Sequence, residues 1–177
     1  MTEQHSEEGR AVSRRGAIVR ASLVLVVVIG LDQLTKHTIA TGIPPGEQRK
    51  FLPAINFVHV RNTGVAFGLF SKGGVPVLAV TLLALGLLLG YFLLRPQRPW
   101  LWLPTGMLIG GALGNLIDRV VTGSVIDFIK LPHWPAFNVA DMSITFGVLA
   151  LLWVLEGKRP DARGRRSSTA GSGVRAR

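Results

Sequence analysis

Residues 75–94 read VPVLAVTLLALGLLLGYFLL, a run of twenty residues without a charged side chain. About 20 predominantly apolar residues are needed for a helix to cross the hydrocarbon core of a bilayer, so this run predicts a membrane-spanning helix. Three more apolar blocks occur, at about 17–40, 101–121 and 139–155. The sequence therefore predicts an all-α membrane protein whose four transmembrane helices form a bundle.

The first apolar block has two interpretations. Arg14, Arg15 and Arg20 could form the basic region of a cleaved signal peptide. We favour an uncleaved span, because the block continues at helical length through Lys36 and no clear cleavage site of small residues follows it.

The connection between the first two blocks, residues 41–72, is rich in glycine and proline. Within it, the alternation of apolar and polar residues from Phe51 to Val60 predicts short strands, a small extracytoplasmic β-like platform. In the third block, Gly106, Gly110 and Gly114 recur every four residues. Such a face of small residues lets another helix approach closely in lipid.

The formal net charge of +10 is concentrated outside the apolar blocks. Residues 158–177 contain seven basic residues and one acidic residue. Basic residues that flank apolar spans orient a protein with those segments in the cytoplasm, so we expect both termini to be cytoplasmic and the two long connections to face outward. No nucleic-acid-binding motif accompanies the charge, and a nucleic-acid partner is not expected. The predicted organisation is a disordered extension (1–15), a four-helix membrane domain (16–157) and a disordered basic tail (158–177).

The absence of cysteine excludes disulfides, thiolate metal sites and a cysteine nucleophile. The four histidines are scattered without metal-ligand spacing, and we expect His37, His59 and His133 to be interfacial residues. Neither a G-x-S-x-G nor an H-E-x-x-H motif is present. The usual nucleophilic and zinc-dependent schemes of hydrolysis therefore fit the sequence poorly.

Polar residues of separate spans fall at one predicted membrane face, the outer one. A charged side chain inside a span costs roughly 2.5–3.5 kcal/mol on insertion scales, so such convergence predicts a functional site. The residues concerned are Asp32, Lys36, Arg61, Asn62, Asn115, Asp118, Arg119, Asp127, Asn138 and Asp141.

Two of these carboxylates could cleave a peptide bond together. Two aspartates held close share a proton, so that one is a general base for water while the other polarises a carbonyl. Asp127 lies in the second outer connection and Asp141 opens the fourth span, where the helix dipole favours an anion. Other choices stay open: the pair could be Asp118 with Asp127, the protein could be a small proton-coupled transporter, or the aspartates could be caps in a structural protein. Transporter sites lie near the bilayer midplane, which distinguishes them from a site at one interface.

Five elements of the sequence resemble, in order, those of the lipoprotein signal peptidase (signal peptidase II) family. They are Asp32-Gln33-Leu34-Thr35-Lys36, residues 62–68 (NTGVAFG), residues 114–119 (GNLIDR), residues 125–128 (VIDF) and residues 137–141 (FNVAD). The resemblance implies an aspartic endopeptidase with Asp127 and Asp141 as the catalytic pair and with no metal or other cofactor. It also implies that the site is supported by Asp32, Lys36, Asn62, Gly64, Asn115, Asp118, Arg119, Asn138 and Ala140.

The family's substrate is a prolipoprotein whose cysteine carries diacylglycerol, and cleavage occurs just before that cysteine. The resemblance thus implies a multi-pass protein of the bacterial cytoplasmic membrane whose partners are diacylglyceryl-prolipoprotein signal peptides and membrane lipid. Its active site faces the extracytoplasmic side, the first outer connection is a flexible cover over the cleft, and a monomer is expected. Within the site, we expect Asp32 and Lys36 to form a structural ion pair at helical spacing and Asp118 to pair with Arg119 or a neighbouring amide.

Overall fold

The computed structural model describes residues 13–63, 75–96 and 98–156, with the side chains of the second helix described from residue 83 onward. This part of the chain is mostly helical, with one small sheet. In chain order its elements are α1 (Arg14–Gly42), β1 (Gln48–Leu52), β2 (Ile55–Asn62), α2 (Val75–Leu94), α3 (Trp102–Thr122), β3 (Val125–Lys130) and α4 (Val139–Glu156). The predicted tail 158–177 lies outside the described residues, as does most of the predicted extension 1–15.

Helix α1 begins within the segment that was expected to be disordered. The hydroxyl of Ser13 accepts a hydrogen bond from the amide of Gly16 at 3.1 Å, which caps the first turn. Arg14 and Arg15 are therefore helical, because a side-chain cap satisfies a backbone donor that the helix itself leaves unpaired.

The four helices form where the apolar blocks predicted them. By length and composition, α1 and α4 are long and apolar enough to cross a membrane, and the described side chains of α2 form a shorter apolar stretch, Leu83–Leu94. Large apolar side chains such as Leu23, Val26 and Trp153 are exposed on these helices, as expected for surfaces solvated by lipid. A bundle in which all four helices span the bilayer stays a prediction.

Helix α3 lies at the centre and packs on α1, α2 and α4. A Cβ atom built on Gly106 would lie 2.6 Å from the carbonyl oxygen of Ala21 in α1, and one on Gly111 would lie 2.6 Å from that of Ala140 in α4. Both distances are shorter than van der Waals contact, so a side chain at either position would force the backbones apart. The predicted role of the glycine repeat in close helix packing is confirmed at Gly106 and Gly110.

Gly106→Ala is expected to destabilise the protein by about 1–3 kcal/mol, because the new methyl group meets a backbone oxygen that cannot move independently. Gly30→Ala in α1 is the matched control, since a Cβ there meets nothing within 4 Å. Thermal unfolding of the two variants in the same detergent measures the difference. Equal transition temperatures for both variants would contradict the packing argument.

The three strands form an antiparallel sheet in the order β1-β2-β3. The predicted platform comprised only the first connection, but the sheet also takes in β3 from the second one. Sequence periodicity missed β3 because its residues do not alternate: Val125, Asp127 and Phe128 are all buried. Phe128 packs with Ile39 and Ile43 at the end of α1, which fixes the sheet on the helices.

The opposite end of the bundle is closed by a second cluster of buried residues, Ala17, Ala21, Phe92, Leu101 and Val154. Arg98 donates hydrogen bonds to the carbonyl oxygens of Val154 and Leu155, at 2.9 and 3.1 Å. These carbonyl groups lie in the last turn of α4, where no helical N–H group is left to bond them. Arg98, in the turn between α2 and α3, therefore caps the end of that helix.

Candidate active site

Asp127 is presented by β3 and is almost completely buried. The neighbouring strand β2 brings Asn62 alongside it, and the Asn62 side-chain amide donates to Oδ2 of Asp127 at 2.9 Å. The amide of Asn138, the residue before α4, donates to Oδ1 at 2.8 Å. Two strands and a helix start therefore fix both oxygens of this carboxyl group.

Asp141 lies in the first turn of α4 and forms a capping box with Asn138. The backbone amide of Asp141 donates to Oδ1 of Asn138 at 2.9 Å, and the backbone amide of Asn138 donates to Oδ2 of Asp141 at 3.2 Å. The side-chain amide of Asn115 in α3 donates to Oδ1 of Asp141 at 2.8 Å. These donors and the positive end of the helix dipole stabilise negative charge on this carboxyl group.

Asn138 joins the two carboxyl groups. It is fully buried, its side-chain Nδ2 donates to Oδ1 of Asp127, and its backbone amide donates to Oδ2 of Asp141. Burial raises the pKa of Asp127 from its ordinary value of 3.8 to about 6, and the charge of Asp141 adds to the increase, while the donors Asn62 and Asn138 oppose it. A carboxyl group with this pKa can hold a proton beside a second carboxylate, which is the requirement for acid–base hydrolysis by a pair.

A buried ion cluster adjoins the pair. The Lys36 ammonium contacts Oδ2 of Asp32 at 2.7 Å and Oδ2 of Asp118 at 2.6 Å, and donates to Oδ1 of Asn115 at 3.0 Å. The other oxygen of Asp32 accepts from the backbone amide of Ala140 at 2.9 Å. The first backbone N–H groups of a helix have no partner within that helix. Asp32 of α1 thus supplies a partner for one of these donors in α4.

The structure brings most of the predicted site residues into these two connected groups. Around the carboxyl pair lie Asn62, Asn115, Asp127, Asn138 and Asp141, and beside them lie Asp32, Lys36, Asp118 and the backbone of Ala140. Arg119 extends toward the same region and donates to the carbonyl oxygen of Asn115 at 3.1 Å. Gly64 lies outside the described residues, as does the 64–72 part of the predicted cover.

The expectation that Asp118 pairs with Arg119 or a neighbouring amide is met by the side-chain amide of Gln33, and Lys36 is an additional, ion-paired partner of Asp118. One expectation about the surroundings needs correction. His59 was expected at the interface, but it is buried and its Nδ1 lies 2.8 Å from the carbonyl oxygen of Ile43 at the end of α1. The ring fills the junction between sheet and helix, because β2 folds back over that end of α1.

Sequence reasoning missed Gln33 as a member of the site. Its Nε2 donates to Oδ1 of Asp118 at 2.9 Å and lies 3.3 Å from both Oδ2 of Asp32 and the carbonyl oxygen of Gly114. An uncharged amide between Asp32 and Lys36 in an apolar block was the available signal, since a buried amide needs partners.

The chain is similar to known proteins over most of its length. The profile of the family described as Signal peptidase (SPase) II matches residues 24–156. The chain is 46% identical over 138 residues to a lipoprotein signal peptidase of Moorella thermoacetica, covering 75% of this chain and 90% of the relative. It is 38% identical over 135 residues to that of Pelotomaculum thermopropionicum, covering 75% and 89%.

Two solved structures share the fold, and both are described as bacterial membrane enzymes. The first has a TM-score of 0.73 and 34% identity, and the match covers 80% of this chain and 96% of the other. The second has a TM-score of 0.73 and 32% identity, with 89% and 96% covered. Because the profile spans most of the chain and the relatives exceed 30% identity over nearly their whole length, the chain belongs to the signal peptidase II family.

Proposed function

We propose that this protein is a membrane aspartic endopeptidase that removes signal peptides from lipoprotein precursors, with Asp127 and Asp141 as its catalytic pair. The observation that carries the assignment is the buried residue Asn138, whose side-chain amide donates to the carboxyl group of Asp127 and whose backbone amide donates to that of Asp141. Family membership supports a peptidase over the alternative of a proton-coupled transporter.

The two carboxyl groups are suited to different parts of the reaction. Asp127, with its raised pKa, holds the proton and donates it to the carbonyl oxygen of the scissile peptide. Asp141, which accepts two hydrogen bonds at a helix start, takes a proton from the attacking water. When the tetrahedral intermediate collapses, the proton held by Asp141 passes to the leaving amine, and the hydroxyl that becomes the new carbonyl returns its proton to Asp127. Neither a covalent intermediate nor a cofactor enters this scheme.

The substrate we propose is a precursor whose cysteine already carries diacylglycerol, cleaved on the amino side of that cysteine. Both the lipid and the apolar signal segment of such a precursor reside in the bilayer. The exposed apolar faces of α1 and α4 support a protein surrounded by lipid, so that substrate arrives laterally.

The proposed topology has four spans within a peptidase domain of residues 16–157, both termini in the cytoplasm and the catalytic pair at the extracytoplasmic face. Basic residues of the N-terminal segment, the turn containing Arg95 and Arg98, and the tail support this orientation. We propose a monomer as the active form, and the hydrogen bonds of the site within one chain support it.

The proposal is tested with a purified diacylglyceryl precursor incubated with this protein and with its Asp141→Asn variant. We expect a gel shift that corresponds to loss of the signal peptide with the wild type and an unprocessed precursor with the variant. Mass spectrometry of the product locates the cut. An unprocessed precursor with the folded wild-type protein, or equal processing by both proteins, would show that the proposed function is wrong.

The pH dependence of kcat/KM follows from the pKa of Asp127, because kcat/KM reports groups of the free enzyme. If Asp127 must be protonated, its active fraction decreases as pH rises through about 6. We therefore expect kcat/KM to be highest at or below pH 6 and to fall about tenfold per pH unit well above it. A value of kcat/KM that increases as pH rises through 6 would instead assign the proton to the carboxyl group of Asp141.

A further inference from the structure

The ammonium of Lys36 is buried and has three polar contacts. Two are with the carboxylates of Asp32 and Asp118, and the third is the 3.0 Å hydrogen bond to Oδ1 of Asn115. Lysine has three donors and no acceptor. The atom of Asn115 that faces Lys36 must therefore be the amide oxygen.

This restriction also determines what Asn115 presents to Asp141. With its oxygen toward Lys36, the amide turns Nδ2 toward Oδ1 of Asp141 at 2.8 Å. A flipped amide would place a donor against the ammonium and an oxygen against a carboxylate. Both contacts are repulsive, and burial gives them a large cost.

Asn138 could not impose the orientation equally well. Its Nδ2 lies 3.2 Å from Oδ1 of Asn115, but the same nitrogen also contacts Asp127 at 2.8 Å and the carbonyl oxygen of Ile126 at 3.4 Å. Two hydrogens are thus divided among three acceptors. The stronger constraint on the Asn115 amide comes from the charged donor, Lys36.

We propose that Lys36 is a positioning residue that locks the Asn115 amide in the orientation that donates to Asp141, and so acts on the peptidase reaction through Asn115. This inference rests on the proposed function. The charged groups around this contact are Asp32 of α1, Asp118 and Arg119 of α3, Asp127 of β3 and Asp141 of α4.

The test uses the double variant Lys36→Met/Asp118→Asn, which removes one buried cation and one buried anion together. Net charge in the cluster is unchanged, and neutral replacement of a buried ion pair is often tolerated. We expect a folded protein whose kcat is lowered about 10- to 100-fold with little change in KM, because a misoriented partner of a reacting group affects the chemical step. The falling limb of the pH profile should also move to higher pH, since the positive charge of Lys36 lowers the pKa of Asp127.

Asn115→Ala completes a cycle that separates positioning from general stability. If Lys36 acts through Asn115, adding Asn115→Ala to the double variant should give a protein no slower than Asn115→Ala alone. The inference would be overturned if the decreases in kcat from the double variant and from Asn115→Ala multiplied when combined. It would also be overturned by a folded double variant with the wild-type kcat and pH profile. Asp127→Asn is included as the reference: a wild-type protein that cleaves while this variant does not shows that the proposed function holds even if the inference fails.

A second variant decides the question if the double variant is not recovered folded. Asn115→Asp has nearly the same shape and gives Lys36 an anionic partner, so the ion cluster is retained, but it has no donor for Asp141. We expect kcat to fall about 100-fold and the falling limb of the pH profile to move to higher pH. Retention of the wild-type rate would show that the orientation imposed by Lys36 has no role in the reaction.

Discussion

Asp127→Asn is expected to lower kcat/KM for a diacylglyceryl precursor by about 10³- to 10⁴-fold, at the upper end of what removal of an acid–base group costs. An amide has no acidic proton to give to the scissile carbonyl. The fold should survive, because the new side chain has the same shape and its oxygen can still accept the bond from Asn138. Initial rates of precursor cleavage, measured at equal concentrations of folded protein, give the ratio.

Glu47→Gln is the matched control for this experiment. It makes the same change of charge at an exposed position just before β1, and we expect the wild-type rate. Processing by Asp127→Asn at the control rate would eliminate this residue from the reaction. Activity that survives Asp141→Asn but disappears in Asp118→Asn would show instead that Asp118 is the partner of Asp127.

Replacement of Asn138 by alanine is expected to damage both stability and catalysis. The side chain caps α4 and donates to the buried Asp127. Loss of a cap costs about 1 kcal/mol, and a buried acceptor that loses a partner costs about 1–3 kcal/mol more. We expect Asn138→Ala to lose about 2–4 kcal/mol in the free energy of unfolding and at least about 100-fold in kcat/KM. Denaturant unfolding in detergent and cleavage assays measure the two effects.

Asn138→Ser separates these two roles. A serine hydroxyl caps a helix about as well as asparagine, but it is too short to bond Asp127 as well. The serine variant should therefore regain about 1 kcal/mol relative to alanine while its activity stays low. Activity restored along with stability would mean that Asn138 acts as a cap without orienting the carboxyl pair.

The sequence predicted the positions of all four helices and most members of the site, because both are encoded locally. Runs of apolar residues define α1 and α4, and the spacing of Gly106 and Gly110 anticipates the contact with α1. The prediction failed at β3, where the burial of Asp127 and Phe128 on a strand interrupts the expected alternation. It also missed the ion pair between Asp118 and Lys36 and the role of Gln33, since these contacts join residues more than eighty positions apart.

By itself, the sequence determined that the chain has long apolar segments with carboxylates at their ends, since hydropathy and charge are properties of each segment. The tertiary structure alone decided which oxygen meets which donor. The bond between Lys36 and Asn115, and the amide of Asn138 between the two aspartates, exist because α3 packs closely against α1 and α4 through its glycines. Such contacts depend on distances of a few ångströms between separate elements, and local periodicity contains no information about them.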